Sequence, residues 1–144
     1  MATMTLGDIS GKMADIDFCM LVTRDGEATM TSRPMSNNGD VEYDGNSWFF
    51  AYEDTAKIRQ IEASDAVTLT FAGAKHLLGG PGIFISVDGK ADLVRNKAEF
   101  EAHWHKGLDR WFPQGTDTPG MILIKVHAGT IRYWDGEDDG TIAL

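Results

Sequence analysis

Arg33, Thr55 and Lys57 are the residues of this chain whose types and spacing suit one piece of chemistry, the gripping of an anion. Asp54-Thr55-Ala56-Lys57 opens a helix-like segment directly after a strand-like run, "NSWFFAYE". Helix N-termini attract anions because their first N–H groups lack intrahelical acceptors and the helix dipole is positive there. In that setting Thr55 can offer a hydroxyl and Lys57 a point charge, and Arg33, at the end of an earlier strand, can add a bidentate guanidinium fork. A phosphate is the anion such a set suits. The same residues also fit an ordinary Asp/Thr cap with a solvated lysine and arginine, and spacing alone leaves both readings open.

Other reactive side chains give less. His103 and His105 are two apart, so on one helix they point to different faces and cannot chelate an ion as an i, i+4 pair could; no metal is expected. Cys19 lies in an apolar run without a nearby cation and reads as an inert core thiol. "GGPG" at residues 79–82 lacks the lysine and following helix of a phosphate loop. The cluster Asp135, Glu137, Asp138 and Asp139 lacks the ligand spacing of a calcium loop and reads as solvated surface. No side chain stands out as a general acid or base.

The elements that must position the anion-gripping set are mostly strands. "DFCMLVTRDGEATMTSRPM" reads as a hairpin about Asp25-Gly26, because Asp-Gly supplies the positive φ that a tight turn needs. "NSWFFAYE", "AVTLTFAG", "GIFISVDGKADLV" and "GMILIKVHAGTIRYWDG" complete a set of six strands, with Val87-Asp88-Gly89 as a bend or bulge. Three helices punctuate them. "TLGDISGKMADI" is weakened by Gly11, "DTAKIRQIEAS" places Ile58 and Ile61 on one face, and "NKAEFEAHWHKGL" pairs Asn96 with Glu99 as in a capping box. Short strands with peripheral helices point to a small antiparallel barrel rather than a parallel α/β sheet.

At 144 residues the chain is long enough for one core, and residues 1–144 read as a single domain with its core at about 10–136 and an acidic tail at 137–144. A formal net charge of -9 argues against nucleic acid and anionic membranes as partners. The single cysteine forms no internal disulfide, and neither a secretory leader nor an apolar run of spanning length is evident. A cytoplasmic location is expected.

The segments "LVTRDGEATMTSRPM", "WFFAYEDTAKIRQI", "AVTLTFAG", "FISVDGKADLV", "WFPQGTDTPGMILIKV" and "IRYWDG", in that order, resemble the pyridoxamine 5'-phosphate oxidase-like, FMN-binding split-barrel superfamily, and within it the general stress protein branch. The resemblance implies a mainly β (α+β) fold, a six-stranded antiparallel split β-barrel with peripheral helices. It implies FMN as cofactor, with FAD as the alternative. Ser32, Arg33, Pro34 and Met35 would lie along the cofactor, with Phe49, Phe50 and Ala51 supplying backbone beside its ring and Thr55 and Lys57 holding its phosphate. It further implies a homodimer in which Trp104, Trp111, Phe112 and Trp134 of a partner complete each site, although on composition such rings are more often core or dimer contacts than cofactor contacts. The activity implied is a flavin-dependent oxidoreductase with a nicotinamide donor. The acidic tail replaces the arginine and histidine set of the true oxidases, so pyridoxamine phosphate oxidation is not expected. A non-catalytic flavin store or sensor, or a barrel loaded with a deazaflavin or nicotinamide nucleotide, are the other readings.

Overall fold

In the computed structural model, which describes residues 3–144, seven strands and three helices follow the order α1 (Leu6–Met13), β1 (Phe18–Arg24), β2 (Met30–Ser36), β3 (Asn46–Tyr52), α2 (Ala56–Ala63), β4 (Ala66–Ala72), β5 (Phe84–Val94), α3 (Lys97–His103), β6 (Met121–Asp135) and β7 (Asp138–Ala143). All strand pairs are antiparallel, in the order β2-β1-β4-β5-β6-β3, with β7 added to the far half of β6. The two ends of the sheet, β2 and β3, do not pair with each other. The barrel is split there.

Strand alternation builds the core. One rung runs from Leu21 through Leu69 and Val87 to Ile131, all fully buried. Burying each such side chain contributes roughly 1.5–3 kcal/mol. The β2 partner of Leu21 in this rung is Arg33, a charged residue at the end of an apolar row. The rung beside it carries Met20, Thr70, Ser86 and Arg132 on the opposite, outer face. At Asp88/Gly89 the β5–β6 register shifts, and a Cβ on Gly89 would collide with the His127 carbonyl, so only glycine lets the strands approach here.

Helix α2 closes one end of the barrel with Ile58 and Ile61, both in the main core. Helix α1 survives Gly11 because Thr5 and Asp8 form a reciprocal capping box that satisfies two of its terminal donors. A second apolar cluster, Phe100, Leu108, Phe112, Met121 and Leu123, lies outside the barrel against β3 and β6.

Three expectations need correction. The C-terminal segment is not a solvated acidic tail: Asp138–Ala143 pairs with Thr130–Asp135 as a seventh strand, turning at Gly136, where φ is 67°. Ile142 faces Ile131 across this pair, and that apolar contact outweighs the acidic composition. The third helix is shorter than expected, ending at His103; Trp104 has extended backbone and a 3-10 turn follows at Lys106–Leu108. Asn96 caps that helix alone, since Glu99 turns to His103 instead of completing a box.

Candidate functional site

A cavity of about 610 Å³ lies at the split, and both unpaired strand edges border it: Pro34–Ser36 of β2 and all seven residues of β3. Because side chains alternate along a strand, it reaches both faces of β3. Ser47, Phe49 and Ala51 turn toward the barrel core, while Trp48, Phe50 and Tyr52 turn toward the outer cluster. Helix α1 and the 37–43 loop close one side, and the segment from Ala102 to Phe112 closes the other.

That second side is aromatic. Phe50 meets Trp104 edge to face at 5.2 Å between centroids, and Tyr52 meets Phe112 at 5.0 Å. The Tyr52 hydroxyl donates to the Trp111 carbonyl at 3.1 Å, tying β3 to the loop. Trp48 stacks flat on His103 at 3.6 Å, with the Lys125 ammonium 5.3 Å from the Trp48 ring. His105 lies past the helix end, so His103 and His105 do not share one helical face.

The cationic end is at α2. Lys57 borders the cavity, and burial first, then the nearby Arg33 charge, holds its ammonium below the ordinary lysine value. Burial also lowers the pKa of Arg33. Among the described residues neither cation meets a carboxylate, whereas Arg59, Arg95 and Arg132 each do. The first turn of α2 has no side-chain cap and no acidic residue. Its donors and two neighbouring positive charges therefore face a place where an anion would be stabilised.

The parts differ from the expected set in two ways. Thr55 does not present its hydroxyl proton: Oγ1 donates to the Tyr52 carbonyl at 2.9 Å, while Asp54 pairs with Arg59. Nor does Arg33 present a free fork. Nη1 donates to the Leu21 carbonyl at 3.1 Å and Thr23 Oγ1 at 2.7 Å, and Nη2 donates to Thr31 Oγ1 at 2.9 Å and Gln60 Oε1 at 3.0 Å. With all four terminal N–H groups engaged, only Nε–H remains, and Arg33 acts on the site mainly through its fixed charge. Thr23, Thr31 and Gln60 were missed by sequence reasoning. The available signal was weak: a strand threonine paired across a hairpin to another, and a glutamine three residues after Lys57.

Pro34, Met35, Phe49, Phe50, Ala51 and Lys57 are thus brought together around one cavity, and Trp104, Trp111 and Phe112, expected from a partner subunit, line it from the same chain. Ser32, Arg33 and Thr55 are outside its lining. Trp134 is on the outer sheet face, in a shallow groove with Phe18, Met20 and Phe84; Phe18 borders both depressions. Cys19 is buried beneath that groove and its thiol is pushed up to about 12 by burial, which keeps it protonated and unreactive at neutral pH.

Solved structures share this architecture. A protein related to general stress protein 26 from Clostridium acetobutylicum superposes with a TM-score of 0.79 at 16% identity, covering 96% of this chain and 94% of that one. General stress protein 26 of Bacillus anthracis gives 0.74 at 22% identity, covering 94% and 95%. The general stress FMN/FAD binding protein of Xanthomonas citri gives 0.75 at 21% identity, covering 96% and 94%. At these identities the likeness is one of fold. No curated protein matches significantly. The sequence family described as pyridoxamine 5'-phosphate oxidase like matches residues 5–144, nearly the whole described fold, and the chain belongs to that family.

Proposed function

We propose that this chain is a flavin-binding oxidoreductase of the general stress protein kind, holding FMN at the split of the barrel. The observation that carries the reading is the pair Arg33 and Lys57, cations without carboxylate partners, beside the uncapped start of α2 and next to an apolar, aromatic-walled cavity. A phosphorylated isoalloxazine needs those same parts: a cationic end for the phosphate, flat apolar walls for the ring, and backbone donors and acceptors for its polar edge. Lys57 and the first N–H groups of α2 would hold the phosphate, and the unpaired edges at Pro34–Ser36 and Phe49–Ala51 would meet the ring. The bound flavin would supply hydride and electron transfer. The protein's part is to bind, orient and exclude water. A solved neighbour described as an FMN/FAD binding protein supports the cofactor class, and FAD is the alternative occupant.

The cavity is open at Trp111, which is 50% exposed, and a second copy of the chain is the cover we assign. The outer sheet face supports a homodimer: Phe18, Phe84 and Trp134 are 57%, 48% and 46% exposed and lie together with Met20. An apolar patch of this kind marks an interaction surface. Phe84→Lys would place a charge in that interface and is expected to convert a dimer into a folded monomer, read as hydrodynamic mass at micromolar concentration. An unchanged mass would remove this face from the interface.

The test of function is titration of the ligand-free protein with FMN and then FAD, followed by rapid mixing of the loaded protein with NADH and NADPH. Tight FMN binding with reduction by a nicotinamide supports the oxidoreductase. Tight binding without reduction by either moves the assignment to a flavin store or sensor. Failure to bind any flavin overturns the reading.

A further inference from the structure

We propose that Gln60 is a specificity-determining positioning residue of the anion site: its neutral amide holds the Arg33 guanidinium in place without cancelling its charge, and so tunes the site to a phosphate monoester dianion. This rests on the flavin reading above and names what selects the phosphorylated form of the ligand.

Gln60 Oε1 is the meeting point of three donors. It accepts from Thr23 Oγ1 at 2.6 Å, from Thr31 Oγ1 at 3.0 Å and from Arg33 Nη2 at 3.0 Å. The two threonine hydroxyls accept from Arg33 at 2.7 and 2.9 Å, so each must pass its own proton onward. The protons then run from guanidinium to hydroxyls to one terminal oxygen, with the 3.5 Å Thr23–Thr31 contact open to either donor. Arg33 Nη2 can only donate, so the amide atom facing it is Oε1 and not Nε2.

An acceptor in this position is ordinarily a carboxylate, because a part-buried arginine is best matched by an opposite charge. This chain has 22 acidic residues against 13 lysines and arginines, and its Arg59, Arg95 and Arg132 all have such partners. At Arg33 the acceptor is neutral. Thr23 is fully buried at the centre of the network, while Thr31, Arg33 and Gln60 are partly buried around it. The guanidinium charge is held rigidly and left uncompensated beside the Lys57 ammonium. Two adjacent positive charges repel each other in the ligand-free protein, and a doubly charged phosphate monoester relieves both. An uncharged hydroxymethyl end relieves neither.

Gln60→Glu keeps the shape and the acceptor and adds one negative charge. FMN affinity is expected to fall on the order of ten- to a hundredfold, with riboflavin affinity unchanged. In the ligand-free protein, the Lys57 side-chain titration followed by NMR is expected to move up toward the ordinary lysine value, because the Arg33 charge is now neutralised. Gln60→Met, which removes the acceptor but adds no charge, is expected to leave the Lys57 midpoint lower than Gln60→Glu does. Thermal melting of each variant identifies any that fail to fold, and the Lys57 titration is read only on those that melt cooperatively. Equal losses of FMN and riboflavin, or an unmoved Lys57 midpoint in folded Gln60→Glu, would reduce Gln60 to a packing role. Should the wild-type protein bind neither flavin, the functional reading fails, while the Lys57 titration with and without inorganic phosphate still decides the charge arrangement: a phosphate-induced upward shift in wild type that is weakened in Gln60→Glu upholds it, and equal shifts overturn it.

Discussion

Helices α1 and α3 begin in one way and α2 in another. At α1, Thr5 Oγ1 accepts from the Asp8 amide at 3.1 Å and Asp8 Oδ2 accepts from the Thr5 amide at 2.8 Å. At α3, Asn96 Oδ1 accepts from Ala98 at 2.8 Å, and Glu99 is in the first turn. At α2 the capping position is Thr55, but its hydroxyl bonds backward to Tyr52, and the first turn carries Lys57 with no acidic residue. A missing cap costs about 1 kcal/mol. Two helices bond terminal donors from their own sequence, and the third, next to the cavity, has no side-chain cap. The lesson is that an apparent capping sequence does not cap when its side chain is turned away.

The largest expected effect breaks the charge side of this contrast. Lys57→Ala combined with Arg33→Ala should weaken FMN binding by about 2 kcal/mol or more, since Lys57 loses a charge-assisted contact of roughly 1.5–3 kcal/mol and Arg33 its fixed charge, measured by fluorescence titration. Unchanged affinity would end the phosphate assignment. Thr55→Asp sharpens the contrast with opposite signs. It installs at α2 the kind of cap seen at α1, so thermal stability should rise by up to about 1 kcal/mol, while the added carboxylate beside Lys57 should weaken FMN binding. A variant that gains stability and keeps its affinity would show that α2 does not receive the anion.

Thr5→Ala is the matching control at α1. It should lower stability by about 1 kcal/mol in denaturant unfolding and leave flavin affinity alone. The smallest effects are in pH dependence, where the two helix starts should again differ. Asp8 is held below its ordinary value of 3.8, first by the Thr5 backbone N–H and then by the Thr5 hydroxyl. Its contribution to stability is therefore complete above 3.8 and lost as pH falls through the lower folded value. Lys57 is lowered by burial, so the folded state releases its proton before the unfolded state does. Below that folded value its burial cost is fully present. Between it and 10.5 stability rises with pH while anion affinity falls, because the charge that attracts the ligand is being removed. An affinity constant across that window, measured with FMN, would remove Lys57 from the site.

Much of this molecule was legible in the sequence because the relevant physics is local. Asp25-Gly26 marked the turn region of the first hairpin, where Gly26 has a φ of 86°, and the alternation of Ile122, Ile124 and Val126 marked a strand with a buried face. Six of the residues expected beside the cofactor within one chain line one cavity, Pro34, Met35, Phe49, Phe50, Ala51 and Lys57, whereas Trp104, Trp111 and Phe112, expected from a partner, line the cavity of their own chain. Less local features were missed. β7 is acidic in composition and is held by pairing with β6, and the third helix stops where Trp104 and Phe112 pack against Phe50 instead of extending to Leu108. Both outcomes depend on partners distant in the chain.

By itself the sequence determined six of the seven strands, the helix starts and the acidic charge balance, since these follow from backbone preference, side-chain alternation and composition. Only the tertiary structure decided what Arg33 and Lys57 do. Leu21, Thr23, Thr31 and Gln60 belong to two strands and a helix, and no spacing rule predicts that they converge on one guanidinium. Hydrogen bonds need donor and acceptor within about 3 Å and in line, a condition on positions in space that packing of the barrel and α2 must satisfy together. That packing took the fork of Arg33 for the protein and left its charge, with Lys57, at the edge of the cavity.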